Sequence, residues 1–94
     1  DHVFLPNTFT PNGDNTNDKL RLRSVVEIED MELMIYNRWG EEVYRTQSFL
    51  EASQGWDGTF RGKRLPPDVY GFWLRAACPN GEELIQQGNV TLLR

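Results

Sequence analysis

A chain of 94 residues that is 38% hydrophobic and 12% aromatic suffices for one folded domain with one modest core, and is too apolar for a disordered segment. Ten Lys and Arg against fourteen Asp and Glu give a net charge of −4, so no broad positive field exists to displace counterions, and a nucleic acid partner is not expected. No apolar run reaches the roughly 18 residues of a membrane helix, and no basic-then-apolar opening marks a signal peptide, so any export address lies elsewhere.

The single Cys78 rules out an internal disulfide, and its place in an apolar strand pattern assigns it to the core. A start at Asp1 rather than Met is read as a piece cut from a longer polypeptide.

In chain order, residues 2–5 read as a short strand stopped by Pro6. Residues 7–18 then hold Asn7, Pro11, Asn12, Gly13, Asp14, Asn15, Asn17 and Asp18, a set of turn formers that predicts an ordered loop. A second strand is expected over 20–26. A third is expected over 31–39, where Met31, Leu33 and Ile35 alternate with Glu32, Met34 and Tyr36. Gly40 turns the chain into a strand over 42–45, and a polar connection leads to Trp56-Asp57-Gly58-Thr59-Phe60. After a turn at Arg61-Gly62-Lys63-Arg64, Pro66 and Pro67 hold a loop, since neither can donate a ladder hydrogen bond.

Over 69–78, Tyr70, Phe72, Leu74, Ala76 and Cys78 share one face, which predicts a central strand. Pro79-Asn80-Gly81 closes a hairpin and residues 84–93 return as the last strand. About seven short strands without helices indicate an all-β, immunoglobulin-like two-sheet sandwich, with a small barrel as the alternative. Its expected core is Phe4, Leu20, Leu22, Leu33, Ile35, Val43, Trp56, Tyr70, Phe72, Leu74, Val90 and Leu92.

Several segments stand in one order. Leu5-Pro6-Asn7-Thr8-Phe9-Thr10-Pro11-Asn12-Gly13-Asp14 with Asn17-Asp18 comes first, then Ile35-Tyr36-Asn37-Arg38-Trp39-Gly40, then Trp56-Asp57-Gly58. Leu65-Pro66, Val69-Tyr70 and a closing Gly88-Asn89-Val90-Thr91-Leu92-Leu93-Arg94 complete the set. Together they resemble the gliding-motility-associated C-terminal domain, the type B sorting domain of type IX secretion. The resemblance spans nearly the whole chain and implies a single domain over 1–94, at the C-terminal end of a large secreted protein. Such a domain directs upstream cargo through the periplasm and across the outer membrane, by the type IX machinery, to the cell surface or medium. It also implies that Arg94 carries the natural carboxylate and that the last strand belongs to the signal. Where the family has Gly, this chain has Asn15 and Asp68; after Gly, Asx residues best tolerate a left-handed backbone, so both are expected at positive φ.

Bland readings compete with functional ones at each motif. Alternating Asn12, Asp14, Thr16 and Asp18 offer oxygens to calcium, with Asp14 and Asp18 the candidates, yet positions six and twelve from Asp14 hold Lys19 and Val25 instead of Gly and Glu. Asx capping of the loop's own amides is the favoured reading, and no metal or cofactor is expected. Asn37-Arg38-Trp39-Gly40 sets a planar cation beside a large ring, a combination suited to recognition, but the expected role is structural, with Trp39 in the core and Asn37 serving loop backbone groups. Trp56-Asp57-Gly58 fits a buried ring and an Asp-Gly turn.

Catalysis is not expected. His2 is the only histidine and lies near an end, so Ser24, Ser48, Ser53 and Cys78 have no expected base, while Glu27, Glu29 and Asp30 read as a solvated turn. The rival function is an adhesive or carbohydrate-binding module using Trp39, Trp56 and Trp73 as stacking platforms. For sorting, if the third, sixth and seventh strands share a sheet, outward Met34, Tyr36, Trp73, Arg75 and Leu93 form a mixed apolar patch. If the 7–18 loop covers that patch, recognition rests on the last strand, through Val90, Leu92, Leu93 and Arg94.

Overall fold

The computed structural model describes residues 3–11, 13 and 18–94. Its strands are β1 (Val3–Phe4), β2 (Thr8–Phe9), β3 (Arg23–Ser24), β4 (Asp30–Tyr36), β5 (Glu42–Thr46), β6 (Thr59–Phe60), β7 (Lys63–Arg64), β8 (Asp68–Ala77) and β9 (Glu83–Leu92), with one helix, α1 (Phe49–Gln54), between β5 and β6. The main layer is a five-stranded sheet in the order β2-β9-β8-β4-β5. All its neighbours are antiparallel except β2 and β9, which run parallel with Thr8 opposite Thr91 and Phe9 opposite Leu92. The 3.6-free alternation over 69–78 thus becomes β8, the central strand, as the two-sided pattern predicts.

The second layer is built from short pieces. It contains the β1–β3 pair, the β6–β7 hairpin, α1, and a bridge in which Leu20 and Trp56 exchange backbone hydrogen bonds at 2.8 and 3.0 Å. Between the layers lie Met31, Leu33 and Ile35 of β4, Tyr70, Phe72, Leu74 and Ala76 of β8, and Val90 and Leu92 of β9, against Val3, Phe9, Leu20, Leu22, Ala52 and Trp56. Burial of these alternate side chains is the main drive for the fold, at about 25 cal/mol per Å² of apolar surface. The result is the all-β sandwich expected from the strand pattern.

The structure corrects several expectations. The connection after β5 is a helical turn and a half, because Ser48 caps it: its Oγ accepts from the Glu51 amide at 3.2 Å, and Gly55 closes the other end. Residues 20–26 pair only at Leu20 and over β3, and 7–18 contains the strand β2. Phe4 is 48% exposed, while Val3 is buried in its stead, a one-residue slip that swaps faces in a strand. Trp39 is 80% exposed rather than core. Cys78 is buried as expected. Asp68 does not have positive φ: among the described residues the non-glycine in that region is Arg61, at φ 55. Arg61 and Gly62 (φ 78) form the two-residue turn between Phe60 and Lys63, where both central positions need positive φ. Asp68 instead begins β8, opposite Leu92. Asn15 lies outside the described residues, as do His2 and Asn12, Asp14, Thr16 and Asn17.

Candidate recognition surface

The side chains of the five-stranded sheet that point away from the core follow from the period of two. Residues 34 and 73 stand opposite each other across β4 and β8, as do 32 and 75, and 36 and 71. Met34, Tyr36, Trp73 and Arg75 therefore share the outer face, each half-buried. The Tyr36 ring lies across Gly71, so closely that a Cβ there would sit 2.7 Å from its Cζ. On β9 the same face carries Ile85, Gln87, Asn89 and Thr91, with exposed Leu93 just beyond the strand. The described part of segment 7–18 does not cover this face. It pairs at the sheet edge through Thr91 N to Asn7 O at 2.8 Å and Leu93 N to Phe9 O at 3.0 Å.

Ion pairs lie beside the apolar stripe, towards the Asp30–Glu32 end of β4. Arg45 bonds Glu32 at 2.9 Å and Glu42 at 3.6 Å. Arg75 bonds Asp30 at 3.0 Å and Glu83 at 3.5 Å; its hydrogen bond to Asp30 is the main cause holding its pKa above the usual arginine value. Asp30 is thus a partner of the sheet, while Glu27 and Glu29 are exposed.

The last strand divides between inside and outside. Val90 and Leu92 are fully buried, whereas Leu93 and Arg94 are exposed. The Arg94 guanidinium spans three loops, donating from Nε to Leu65 O at 2.9 Å, from one terminal nitrogen to Gly58 O at 3.2 Å and from the other to Pro11 O at 3.4 Å. Those carbonyls belong to the Leu65-Pro66, Trp56-Asp57-Gly58 and first motif segments, so Arg94 ties three of the motifs together.

The remaining motif residues support the frame. The Trp56 ring is the hub of an aromatic cluster, 5.5 Å from Phe9 and 5.9 Å from both Tyr44 and Tyr70, and its Nε1 donates to Thr59 O at 3.0 Å. Asp57 Oδ1 accepts from the Thr59 amide at 3.1 Å and hydroxyl at 2.6 Å, the Asx turn expected of Asp-Gly. Tyr70 Oη donates to Pro66 O at 2.8 Å, pinning the proline loop to β8, and burial raises its pKa above the usual tyrosine value. Tyr44, half-buried and donating to Glu51 at 3.1 Å, is raised well beyond that value, chiefly by burial. Asp18 Oδ1 accepts from the Gly13 amide at 3.0 Å, which is loop capping, while its calcium companion Asp14 lies outside the described residues.

The serines likewise hold backbone. Ser24 Oγ bonds Val26 O at 2.6 Å, Ser48 caps α1, and Ser53 Oγ bonds Leu50 O at 2.8 Å. Among the described residues, one shallow cleft of about 320 Å³ is lined by Lys19, Tyr44, Glu51, Trp56 and Asp57, and another of about 390 Å³ lies between Arg21, Arg23, Phe49 and Ser53. In neither does a nucleophile face a base.

At the β4–β5 hairpin tip Asn37 serves loop backbone groups as expected, whereas Trp39, expected in the core, is open to solvent. Asn37 Oδ1 accepts from the Trp39 and Glu41 amides at 3.0 and 2.9 Å, and Asn37 Nδ2 donates to Glu41 Oε1 at 3.0 Å. Arg38 bonds Asp68 at 2.6 Å with its guanidinium 5.6 Å from the Trp39 ring centroid. The Val69 amide and then Arg38 hold the Asp68 carboxyl below its usual pKa. A three-residue loop flanked by Asn and closed by Gly40 was the available signal that Trp39 sits at an apex and not on a strand face.

Among solved structures, the fold is similar to the crystal structure of CopC from Methylosinus trichosporium OB3b, at TM-score 0.62 and 15% identity, covering 97% of this chain and 93% of that one. That likeness concerns the fold alone. No curated protein matches the chain in sequence. Among the described residues no helix is long and apolar enough to cross a membrane. The family model of the CHU_C type IX secretion signal domain matches residues 3–92; the chain belongs to that family, which is not an enzyme family, and serves as a signal for type IX secretion.

Proposed function

We propose that this domain is the C-terminal address of a longer chain, read in the periplasm as a folded unit by the type IX machinery at the outer membrane, and that the address lies on the outer face of the five-stranded sheet. The observation that carries this reading is the stripe of Met34, Tyr36, Trp73 and Leu93, apolar bulk that the core does not use, bordered by the Arg75 and Arg45 ion pairs. An apolar centre with a polar rim is the usual anatomy of a protein interface. Val90 and Leu92 contribute by holding β9 in the core, so a receptor reads the strand through Leu93 and Arg94. We assign catalysis no part in this function: Ser24 and Ser53 bond backbone carbonyls, the Cys78 thiol is buried and Asp30 pairs with Arg75.

The test is export of a fluorescent reporter carrying its own signal peptide and fused to the full chain. Trp73→Ala and Tyr36→Ala should each lower secreted reporter several-fold while leaving the periplasmic pool intact, since truncating an interface residue of this kind costs about 1–2 kcal/mol of binding. Normal export of both variants would remove the outer face from the mechanism. Failure to export the unaltered fusion, in cells whose type IX system secretes other cargo, would remove the sorting role; glycan binding by the same domain would then favour the adhesive alternative.

A further inference from the structure

Among the described residues Trp39 is the most exposed of the large apolar side chains, at 80%. An indole left in water at a loop tip does nothing for folding, since burial of apolar surface is what stabilises a core. The tip that carries it is nevertheless held by several hydrogen bonds. Asn37 N bonds Glu41 O at 2.9 Å and Gly40 N bonds Asn37 O at 3.0 Å, closing the turn. The Asn37 amide group ties down the Trp39 and Glu41 backbone. Gly40, at φ 81, supplies the left-handed residue that a three-residue hairpin loop needs.

Pro79-Asn80-Gly81, at the opposite end of the sheet, repeats the same turn: Cys78 N bonds Glu82 O at 2.8 Å and Gly81 N bonds Cys78 O at 2.9 Å. That loop closes its hairpin with a small polar Asn80 where the first loop has Trp39. A Trp is therefore not a requirement of the turn. The first tip is also anchored sideways, by Arg38 to Asp68 at the start of β8, next to Leu92. It stands at the end of the sheet where outward Val69 and Leu93 are exposed, and it continues the strand that carries Met34 and Tyr36.

We infer that Trp39 is the anchor of the surface read by the type IX machinery, its indole entering an apolar pocket of a protein component at the outer membrane. Most of the ordering cost of binding is removed beforehand, because the backbone is locked and the Arg38 guanidinium already flanks the ring. Trp is the residue type most enriched among side chains that dominate binding. A protein pocket is favoured over a lipid surface because the chain carries a net charge of −4, which opposes approach to anionic headgroups. This inference rests on the sorting function proposed above.

The test uses the same reporter fusion with Trp39→Ala, Trp39→Phe and, in parallel, Trp73→Ala. Trp39→Ala is expected to lower secreted reporter about tenfold or more, with Trp39→Phe retaining most of it. The Tm of the purified Trp39→Ala domain should stay within about 3 °C of the parent, because the side chain is exposed. Export of Trp39→Ala at the parental level overturns the inference, and the sorting function survives if the unaltered fusion is still exported. A loss of export accompanied by a large fall in Tm also overturns it, by making Trp39 structural. Trp39-dependent binding of the purified domain to vesicles of outer-membrane lipid would replace the protein pocket by a lipid surface.

Discussion

Asp68 stands where a glycine was expected to require positive φ, and the residue is instead an ordinary strand residue whose carboxylate has a task. Its Oδ1 accepts from the Val69 amide at 2.8 Å and from Arg38 at 2.6 Å, fixing the Trp39 hairpin to β8. Both contacts favour the ionised form, so the folded-state pKa lies below the usual 3.8. A group depressed in this way contributes stability above its unfolded pKa, and the contribution disappears as pH falls through the folded value. The Tm of the parent should accordingly exceed that of Asp68→Asn at pH 7, and the gap should start to close below pH 3.8. A gap constant down to pH 2 would mean that the carboxylate charge is not what holds the hairpin. The tryptophans show where residue identity stops being informative. Trp56 and Trp39 are equally apolar, and only the turn around each decides which is the hub of the core and which faces water.

Strands with alternation were legible because burial on one face imposes a period of two that the order of residues records. β4, β8 and β9 lie close to where that period puts them, and their shared sheet follows. The elements that escaped are those too short to show a period. β2 has two residues inside a stretch of turn formers and exists because Asn7 and Phe9 carbonyls meet the end of β9. α1 has six residues, but its signal was present: Ser48 three positions before Glu51 and Gly55 at the close form a start and a stop around Phe49 and Ala52. Outward and inward faces of β9 differ in one further respect. Gly88 faces Phe72, and a Cβ there would sit 2.9 Å from that ring's Cε2. Since Phe72 is a core side chain, Gly88→Ala should destabilise the domain by about 1–3 kcal/mol, measured by urea unfolding. An unchanged midpoint would show that the ring moves aside freely.

On the scale of the molecule, the two ends of the described chain close the sheet on each other. β2 runs parallel to the end of β9, Phe9 lies against the Trp56 hub, and Arg94 spans the Leu65, Gly58 and Pro11 carbonyls. The motif segments that carry the family resemblance are therefore largely the parts of one junction, which is why a linear reading could name them without seeing what they share. Removal of residues 90–94 deletes Val90 and Leu92, both fully buried, which alone forfeits about 3–6 kcal/mol of burial. It also strips β2 of its partner and Phe9 of its backing. Against a native stability of about 5–15 kcal/mol, in the lower part of that range for so small a domain, the loss is decisive. The 1–89 chain should lack a cooperative thermal transition and be cleaved by protease at many sites. Loss of export in that truncation would then report an unfolded domain rather than a missing signal, whereas Leu93→Ser, which leaves the buried residues in place, should melt cooperatively and test the strand end itself. A 1–89 chain that melts cooperatively within a few degrees of the parent would refute the closure argument and restore the terminal strand as a separable address.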